Sequence, residues 1–383
     1  MFINLSIFVT PRDRDVGHIR NLTKLERGTV KMKIGFLTSG GDCQGLNAAL
    51  RGVAKTLFGA VPYVEIYGIQ DGYRGLLERE WRIMEQHEFS GILREGGSIL
   101  GTSRQPYRTM RDIDESSNTE RLTTMVRNYH NECLDALVIL GGNGTHKTAY
   151  TLSQYGINIV TLPKTIDNDL YGTDYSFGFD SAVSKAADVL DTLHSTAAAH
   201  GRIFVCELMG RKAGWVTLYA GLAGGADVIL LPEIPYSLDS VLEVIEKRNH
   251  SGKNFSIIAI AEGAITKELE QQPKKERKVG DISPGMELVR VLDERLNQDI
   301  RLAIPGHFQR GGAPTATDRI YCTRMGAMAG ELVLKRKFGY MVALQGNTIG
   351  AIPLSEVAGK LKTIPPDFEV LKQTRLLGIS LGE

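Results

Sequence analysis

The sequence predicts an α/β protein of two Rossmann-like, three-layer α/β/α lobes with mostly parallel sheets, and three observations carry that expectation. Apolar runs of strand length alternate with helical stretches from Lys33 to Gln345. Several of these runs end in glycine-rich turns that open a helix, the junction found at the carboxyl edge of a parallel sheet. At 383 residues the chain is long enough for two cores of ordinary domain size.

Residues 33–38 read as the first strand, followed by Ser39-Gly40-Gly41-Asp42 and a helix from Leu46 to about Phe58. Backbone N–H groups and the helix dipole point at such a turn and suit a phosphate. The pattern is neither Gly-x-Gly-x-x-Gly nor a Walker loop. A second strand spans 64–69, and a loop rich in hydroxyls then carries Gly101-Thr102-Ser103-Arg104-Gln105. A helix at 119–131 and a strand at 136–140 deliver Gly141-Gly142-Asn143-Gly144-Thr145 to another helix start. Lys147-Thr148 imitates a P-loop ending, but His146 stands where that motif needs glycine. The apolar run 157–161 leads to Pro163-Lys164-Thr165-Ile166-Asp167-Asn168-Asp169. Three strand-turn-helix junctions, at Gly41, Gly142 and Thr165, argue for a nucleotide-phosphate cleft at one sheet edge. In the last of them one carboxylate can take a proton from an attacking alcohol, the other can face a metal, and the hydroxyl can donate to a phosphate oxygen.

A long helix at 182–198 marks the passage into a second lobe. Its strands are expected at 203–208, 227–231, 256–261 and 301–304, with an exposed charged loop at 264–281 and a helix at 286–297. The first of these strands follows Arg202 and ends at Met209-Gly210-Arg211, and the third ends at Glu262-Gly263. Arg301 and the segment Gly306-His307-Phe308-Gln309-Arg310-Gly311-Gly312 lie at the last. Arginine presents paired N–H donors to phosphate that lysine cannot reproduce. Arg202, Arg301, His307 and Arg310 therefore suggest a second anion site, and the whole reads as a phosphotransferase acting on a phosphorylated small molecule. A helix at 318–335 and a strand at 340–345 complete the alternation.

A net charge of +1 offers no basic field for nucleic acid. No apolar run approaches the ~18 residues of a membrane span. Cys43, Cys133, Cys206 and Cys322 show neither disulfide nor metal spacing, as expected of reduced thiols in a cytoplasmic protein. Residues 1–31 are unpatterned and lack the marks of a signal peptide, so Met32 is the expected natural start.

The motifs Thr38-Ser-Gly-Gly-Asp42, Gly141-Gly-Asn-Gly-Thr145, Pro163-Lys-Thr-Ile-Asp-Asn-Asp169, Met209-Gly-Arg211 and Gly306-His-Phe-Gln-Arg-Gly-Gly312, in that order, resemble the bacterial 6-phosphofructokinases of the phosphofructokinase A superfamily. The likeness covers roughly residues 32–350, and the mixture of Gly144 with Lys164 resembles the mixed-substrate branch. It implies transfer of a phosphoryl group to the 1-hydroxyl of fructose 6-phosphate in glycolysis. The implied nucleotide-binding lobe is 32–178 with 311–360, and the implied sugar-phosphate lobe is 179–310 with 361–383. By the same resemblance Asp167 is the general base, Thr165 touches the sugar hydroxyl and the moving group, and Arg211 stabilises its charge. Gly41, Arg104, Gln105, Gly142, Asn143, Gly144, Thr145 and Lys164 hold the donor. Met209, Gly210, Arg211 and Glu262 bind the sugar, while Arg202, Arg301, His307 and Arg310 hold the 6-phosphate. In the family the residues matching Arg202 and Arg301 come from a neighbouring subunit, which implies a homodimer or homotetramer.

Two departures matter. ATP-using members usually have Gly-Gly-Asp-Gly with Pro-Gly-Thr-Ile-Asp, whereas pyrophosphate users have Gly-Gly-Asp-Asp with Pro-Lys-Thr-Ile-Asp. A carboxylate at 144 would fill and repel the α-phosphate space. Glycine leaves it open, so ATP is the expected donor and pyrophosphate the alternative. The second departure is Asn143, where a metal-facing aspartate is usual. It weakens the expected Mg²⁺ site at Asn143 and Asp169 without removing it, since Mg²⁺ keeps several waters. A non-catalytic sugar-phosphate or nucleotide sensor and a dinucleotide oxidoreductase are the remaining alternatives.

Overall fold

The computed structural model describes residues 31–104, 107–114, 119–273 and 282–383; the leader 1–30, the donor-loop residue Gln105 and the basic stretch 274–281 lie outside the described residues. The chain divides into two compact units. The first takes the chain up to Thr165 with Leu170–Gly178 and Gly312–Leu361, and the second takes Ile166–Asp169, Phe179–Gly311 and Lys362–Glu383.

In the first unit, strands β1 (Met32–Thr38), β2 (Val64–Ile69), β3 (Trp81–Met84), β6 (Ala136–Gly141), β7 (Ile159–Pro163), β12 (Tyr340–Gln345) and β13 (Thr348–Pro353) form one sheet. The two-residue strands β4 (Ile113–Asp114) and β5 (Thr119–Glu120) pair separately. The sheet order is β13-β12-β7-β6-β1-β2-β3. Its five inner strands are parallel and only the edge pairs β2–β3 and β12–β13 are antiparallel. Every residue of β6 and β7 is buried, as an apolar run covered on both faces should be. Helices α1 (Leu46–Ala60), α2 (Arg121–Asn131) and α3 (Asn143–Gln154) follow β1, β5 and β6, and a later helix, Ala316–Leu334, lies against α1. That contact depends on glycine. A Cβ on Gly52 would stand 2.6 Å from the Thr323 carbonyl oxygen, and one on Gly326 would stand 2.3 Å from that of Ala49.

The second unit holds a four-stranded parallel sheet of β8 (Ile203–Leu208), β9 (Val228–Leu230), β10 (Ser256–Ala261) and β11 (Ile300–Ala303), in the order β11-β8-β10-β9. Its core joins Val205, Ile258 and Ile260 to Val241, Ile245, Leu288 and Leu292 from the covering helices. Ala261 pairs with Leu208, so Met209 and Glu262 leave the sheet side by side at its carboxyl edge. The helix expected at 286–297 runs over Pro284–Arg295, with Ser283 as its N-cap and proline at its first position.

Two sequence expectations are corrected. The helix expected from residue 119 starts at Arg121, because 119–120 pair with 113–114. No helix follows Thr165 directly, so only two of the three expected strand-turn-helix junctions exist. The next long helix, α4 (Phe179–His200), begins only at Phe179. Before it the chain folds back: the Phe177 amide donates to the Pro163 carbonyl at 3.1 Å, and Ser176 Oγ donates to the Thr165 carbonyl at 2.7 Å.

Candidate active-site residues

In the first unit the turn after β1 and the turn after β6 meet through Lys164. The Lys164 amide donates to the Gly141 carbonyl at 3.0 Å, and its ammonium donates to the Gly41 carbonyl. The side chain is 3% exposed. Gly40 has φ +88, and a Cβ there would lie 3.4 Å from Lys164 Nζ and 3.9 Å from Thr145 Oγ1. Gly40, Gly41, Thr145 and Lys164 are thus brought to one place, where a ligand can approach the backbone closely. The hydroxyl-rich loop braces the same turn: Thr102 Oγ1 donates to the Gly40 carbonyl at 2.6 Å, and the Gly40 amide donates to Ser103 at 3.1 Å. Arg104 ends that loop and is exposed.

Gly142 is the N-cap of α3, and Asn143, Gly144 and Thr145 form its first turn, so their amides face outward as an anion cradle. Gly144 is exposed, and a Cβ built on it meets no atom within 4 Å. Asn143 Nδ2 donates to the Lys360 carbonyl at 2.6 Å, and its buried Oδ1 accepts no hydrogen bond among the described residues. His146 is fully buried, with Nδ1 2.8 Å from the Gly142 carbonyl. Burial, with the Lys164 charge adding to it, pushes its pKa down to about 4. His146 is therefore a neutral packing residue inside the cradle.

In the second unit Ile166 is buried, while Asp167 and Asp169 are half-buried on either side of Asn168. Asn168 takes a left-handed φ of 48, which asparagine tolerates better than most residues. Burial, then the neighbouring Asp167 charge, raises the Asp169 pKa to about 6 against the pull of Lys212 and Lys362. Glu262 is also raised, chiefly by burial and then by Asp167 and Glu207, while the Gly210 amide and Arg211 oppose the shift. The Gly210 amide donates to Glu262 Oε1 at 3.5 Å. A Cβ on Gly263 would sit 2.1 Å from the Arg211 carbonyl oxygen, so the two turns touch backbone to backbone. Asp167, Gly210, Arg211 and Glu262 are thereby close neighbours, with the Arg211 side chain exposed.

The turn Gly306–Arg310 is joined to this group by Gln309. It is fully buried, its Oε1 accepts the Met209 amide at 3.3 Å, and its Nε2 donates to the Gly306 carbonyl at 3.2 Å. His307 stays exposed and Arg310 half-buried. Arg202 and Arg301 lie elsewhere. Ile203 pairs with Ile300, so both arginines stand at the amino edge of the second sheet. The length of β8 separates them from Met209, about 20 Å at ~3.3 Å per residue. Both guanidinium groups are bound to Asp299. Gln309, inside the Gly306–Gly312 motif but given no role by it, and Lys362, whose charge acts on Asp169, carry contacts with site residues that spacing does not announce.

A family profile described as Phosphofructokinase matches residues 33–333. The chain is 47% identical over 356 residues to an ATP-dependent 6-phosphofructokinase of Spirochaeta thermophila, covering 91% of this chain and 97% of that protein. It is 45% identical to ATP-dependent 6-phosphofructokinase 3 of Bacteroides thetaiotaomicron, covering 92% of this chain and 100% of that protein. Among solved structures it is similar to Pichia pastoris phosphofructokinase in the T-state, with TM-score 0.75 and 31% identity over 88% of this chain and 36% of that one. A pyrophosphate-dependent phosphofructokinase of Nitrosospira multiformis shares the fold, with TM-score 0.76 and 20% identity over 91% of this chain and 92% of that one.

Proposed function

The chain belongs to the phosphofructokinase family, and we propose on that premise that it phosphorylates fructose 6-phosphate at O1 with ATP, in glycolysis, giving fructose 1,6-bisphosphate and ADP. The observation that carries the donor reading is the open space beside Gly144 in the first turn of α3, which leaves room for a nucleotide α-phosphate. The alternative donor, pyrophosphate, is motivated by Lys164. Its ammonium is already engaged with the Gly41 carbonyl inside the turn, and this favours a bracing role there over selection of the donor.

In this reading Gly41, Arg104, Gly142, Gly144, Thr145 and Lys164 cradle the donor, and Gln105 belongs to the same loop by sequence. Asp167 takes the proton from the sugar O1 hydroxyl, beside Thr165. Arg211 meets the charge of the transferring group, and Met209, Gly210 and Glu262 orient the sugar. Most of the acceleration comes from positioning and fixed charge, as phosphoryl transfer requires. His307 and Arg310 take the 6-phosphate. The position of Arg202 and Arg301 at the far edge of the sheet supports their acting on a second copy, in a homodimer or homotetramer. β11 is an edge strand, and the exposed Ile304 and Phe308 follow it.

Mg²⁺ is the ion such a transfer would use. Asn143 Oδ1 is a buried acceptor with no hydrogen bond among the described residues, and Asp169 is a half-buried carboxylate; each, taken by itself, is a hard oxygen donor of the kind this ion takes. No group of three or more His, Cys, Asp or Glu side chains among the described residues could hold a metal ion, so donor phosphates and water would supply most of its ligands, and the ion would neutralise phosphate charge. No helix among the described residues is long and apolar enough to cross a membrane, and we place the enzyme in the cytoplasm. A coupled assay of fructose 1,6-bisphosphate formation with ATP and with pyrophosphate tests the reading; turnover with pyrophosphate alone overturns the donor, and turnover with neither overturns the enzyme in favour of a sensor.

A further inference from the structure

The segment after Leu361 docks in the second unit on Trp215. The Lys362 amide donates to the Asp169 carbonyl at 2.8 Å, and the Lys362 carbonyl accepts the Trp215 indole N–H at 3.1 Å. The Lys362 ammonium lies 5.3 Å from the centroid of the same ring, a cation–π contact. Two residues on, the Ile364 amide donates to Glu233 Oε1 at 3.0 Å. Both oxygens of that carboxylate lie 3.1 Å from the Gly214 amide. Phe368 sets its ring edge-on to Trp215, with centroids 5.2 Å apart. Gly214 and Trp215 begin α5 (Trp215–Ala223) directly after the Met209–Lys212 turn. The tail therefore ties the start of this helix to the backbone of Asp169.

We propose that Trp215 and Lys362 are positioning residues, the two parts of a strut by which the C-terminal tail sets the Asp167-Asn168-Asp169 turn against the Met209–Lys212 turn. This rests on the assignment of Asp167 and Arg211 to the reaction. Asn168 is left-handed, and a non-glycine residue keeps that conformation only where its surroundings over-determine it. The hydrogen bond to the next carbonyl, at Asp169, supplies such a constraint. Trp215 is 6% exposed, so its N–H has little access to water if Lys362 withdraws, and burying it unpaired opposes undocking. A displacement of about 1 Å in a reacting group can cost on the order of a hundredfold in rate, so the strut acts on turnover while the sugar-phosphate contacts of His307 and Arg310 remain.

The test uses the full chain with Trp215→Phe, which keeps the ring and removes the N–H, and Lys362→Met, which keeps the backbone and removes the charge. Trp215→Phe is expected to lower kcat about tenfold and Lys362→Met at least about threefold, with the KM for fructose 6-phosphate within about twofold. Lys362→Arg, which also stacks on indole, restores kcat. Trp81 and Trp215 are the two tryptophans of the chain, so Trp81→Phe leaves Trp215 as sole emitter, and its emission is expected to change on Lys362→Met. Unchanged kcat in both variants, a KM that rises as steeply as kcat falls, or emission insensitive to Lys362→Met overturns the proposal. If the unmodified protein shows no turnover, the reading of function fails, and the emission comparison still decides whether the tail docks.

Discussion

Replacing Gly144 with aspartate separates the donor from the fold. Gly144 is the second residue of α3, and a side chain there enters open space. Its φ is outside the left-handed region, so an L residue is not strained. Aspartate is better than glycine in a helix by only about 0.3 kcal/mol, and an acid in the first turn gains about 0.3–1 kcal/mol from the dipole. The variant should therefore be more stable, by about 0.5–1 kcal/mol. Its effect on the donor runs the other way. A carboxylate ~4 Å from a phosphate charge costs about 1 kcal/mol in the dielectric of water and about 4 kcal/mol at the effective value of a protein surface. For an exposed residue beside a cradle, about 2 kcal/mol is the working figure, or ~30-fold in KM for ATP. The coupled assay with ATP titrated at saturating fructose 6-phosphate reads that change, and thermal unfolding reads stability alongside it. An unchanged KM for ATP in a variant of raised Tm would refute the argument that open space at this position admits the nucleotide.

Three further outcomes follow from the same geometry. Asp167→Asn should lower kcat by about 10²–10⁴, the range of a lost general base, while fructose 6-phosphate still binds by calorimetry; retained turnover removes Asp167 from its role. His146 has a folded pKa of about 4 against an ordinary 6.5. Between those values the unfolded chain binds the extra proton, so stability is full above about pH 6.5 and is lost as pH falls toward 4, by about 3 kcal/mol in all. His146→Gln should flatten chemical-denaturation stability across that window, and an unchanged slope contradicts the assignment. If Arg301 serves the neighbouring copy, inactive Asp167→Asn and weakened Arg301→Ala chains, co-refolded in equal amounts, should recover about a quarter of full activity, since a mixed pair rebuilds one intact site; additive residual activity would place Arg301 in its own chain's site.

The sequence makes the inner strands plain because β6, β7, β8 and β10 are buried throughout and mostly apolar, with Thr161, Glu207 and Ser256 as polar exceptions. The antiparallel edges are not legible. β3 reads Trp-Arg-Ile-Met with Ile83 51% exposed, and β13 carries Gly350 and ends at Pro353, so neither alternates cleanly and both have strand-weakening residues or exposed apolar ones. The helix expected beyond Thr165 failed for a different reason. Local sequence there offers carboxylates and an asparagine fit for a helix cap, but contacts with residues 176–177 close the segment into a loop instead. Tertiary hydrogen bonds overrode a local signal.

The same division runs through the site. The glycine turns and strand ends proposed to meet a ligand could be located from spacing, because sheet topology puts those positions at one edge, while their individual roles came from the family resemblance. Residues that act through other residues could not, since Gln309 reaches Met209, and Lys362 reaches Trp215 and Asp169, only after the chain has folded. Arg202 and Arg301 show the limit most clearly. Their chemistry was legible and their place was not, because it depends on the register of Ile203 with Ile300. That register puts them at the opposite edge of the sheet from Met209 and Glu262, yet leaves both beside an exposed edge strand and tied to Asp299. Asp299 binds both guanidinium groups. A phosphate brought by a second copy would have to compete with that carboxylate, so Asp299→Asn should tighten fructose 6-phosphate binding if the arginines act between copies, and leave it unchanged if their ion pairs are only structural.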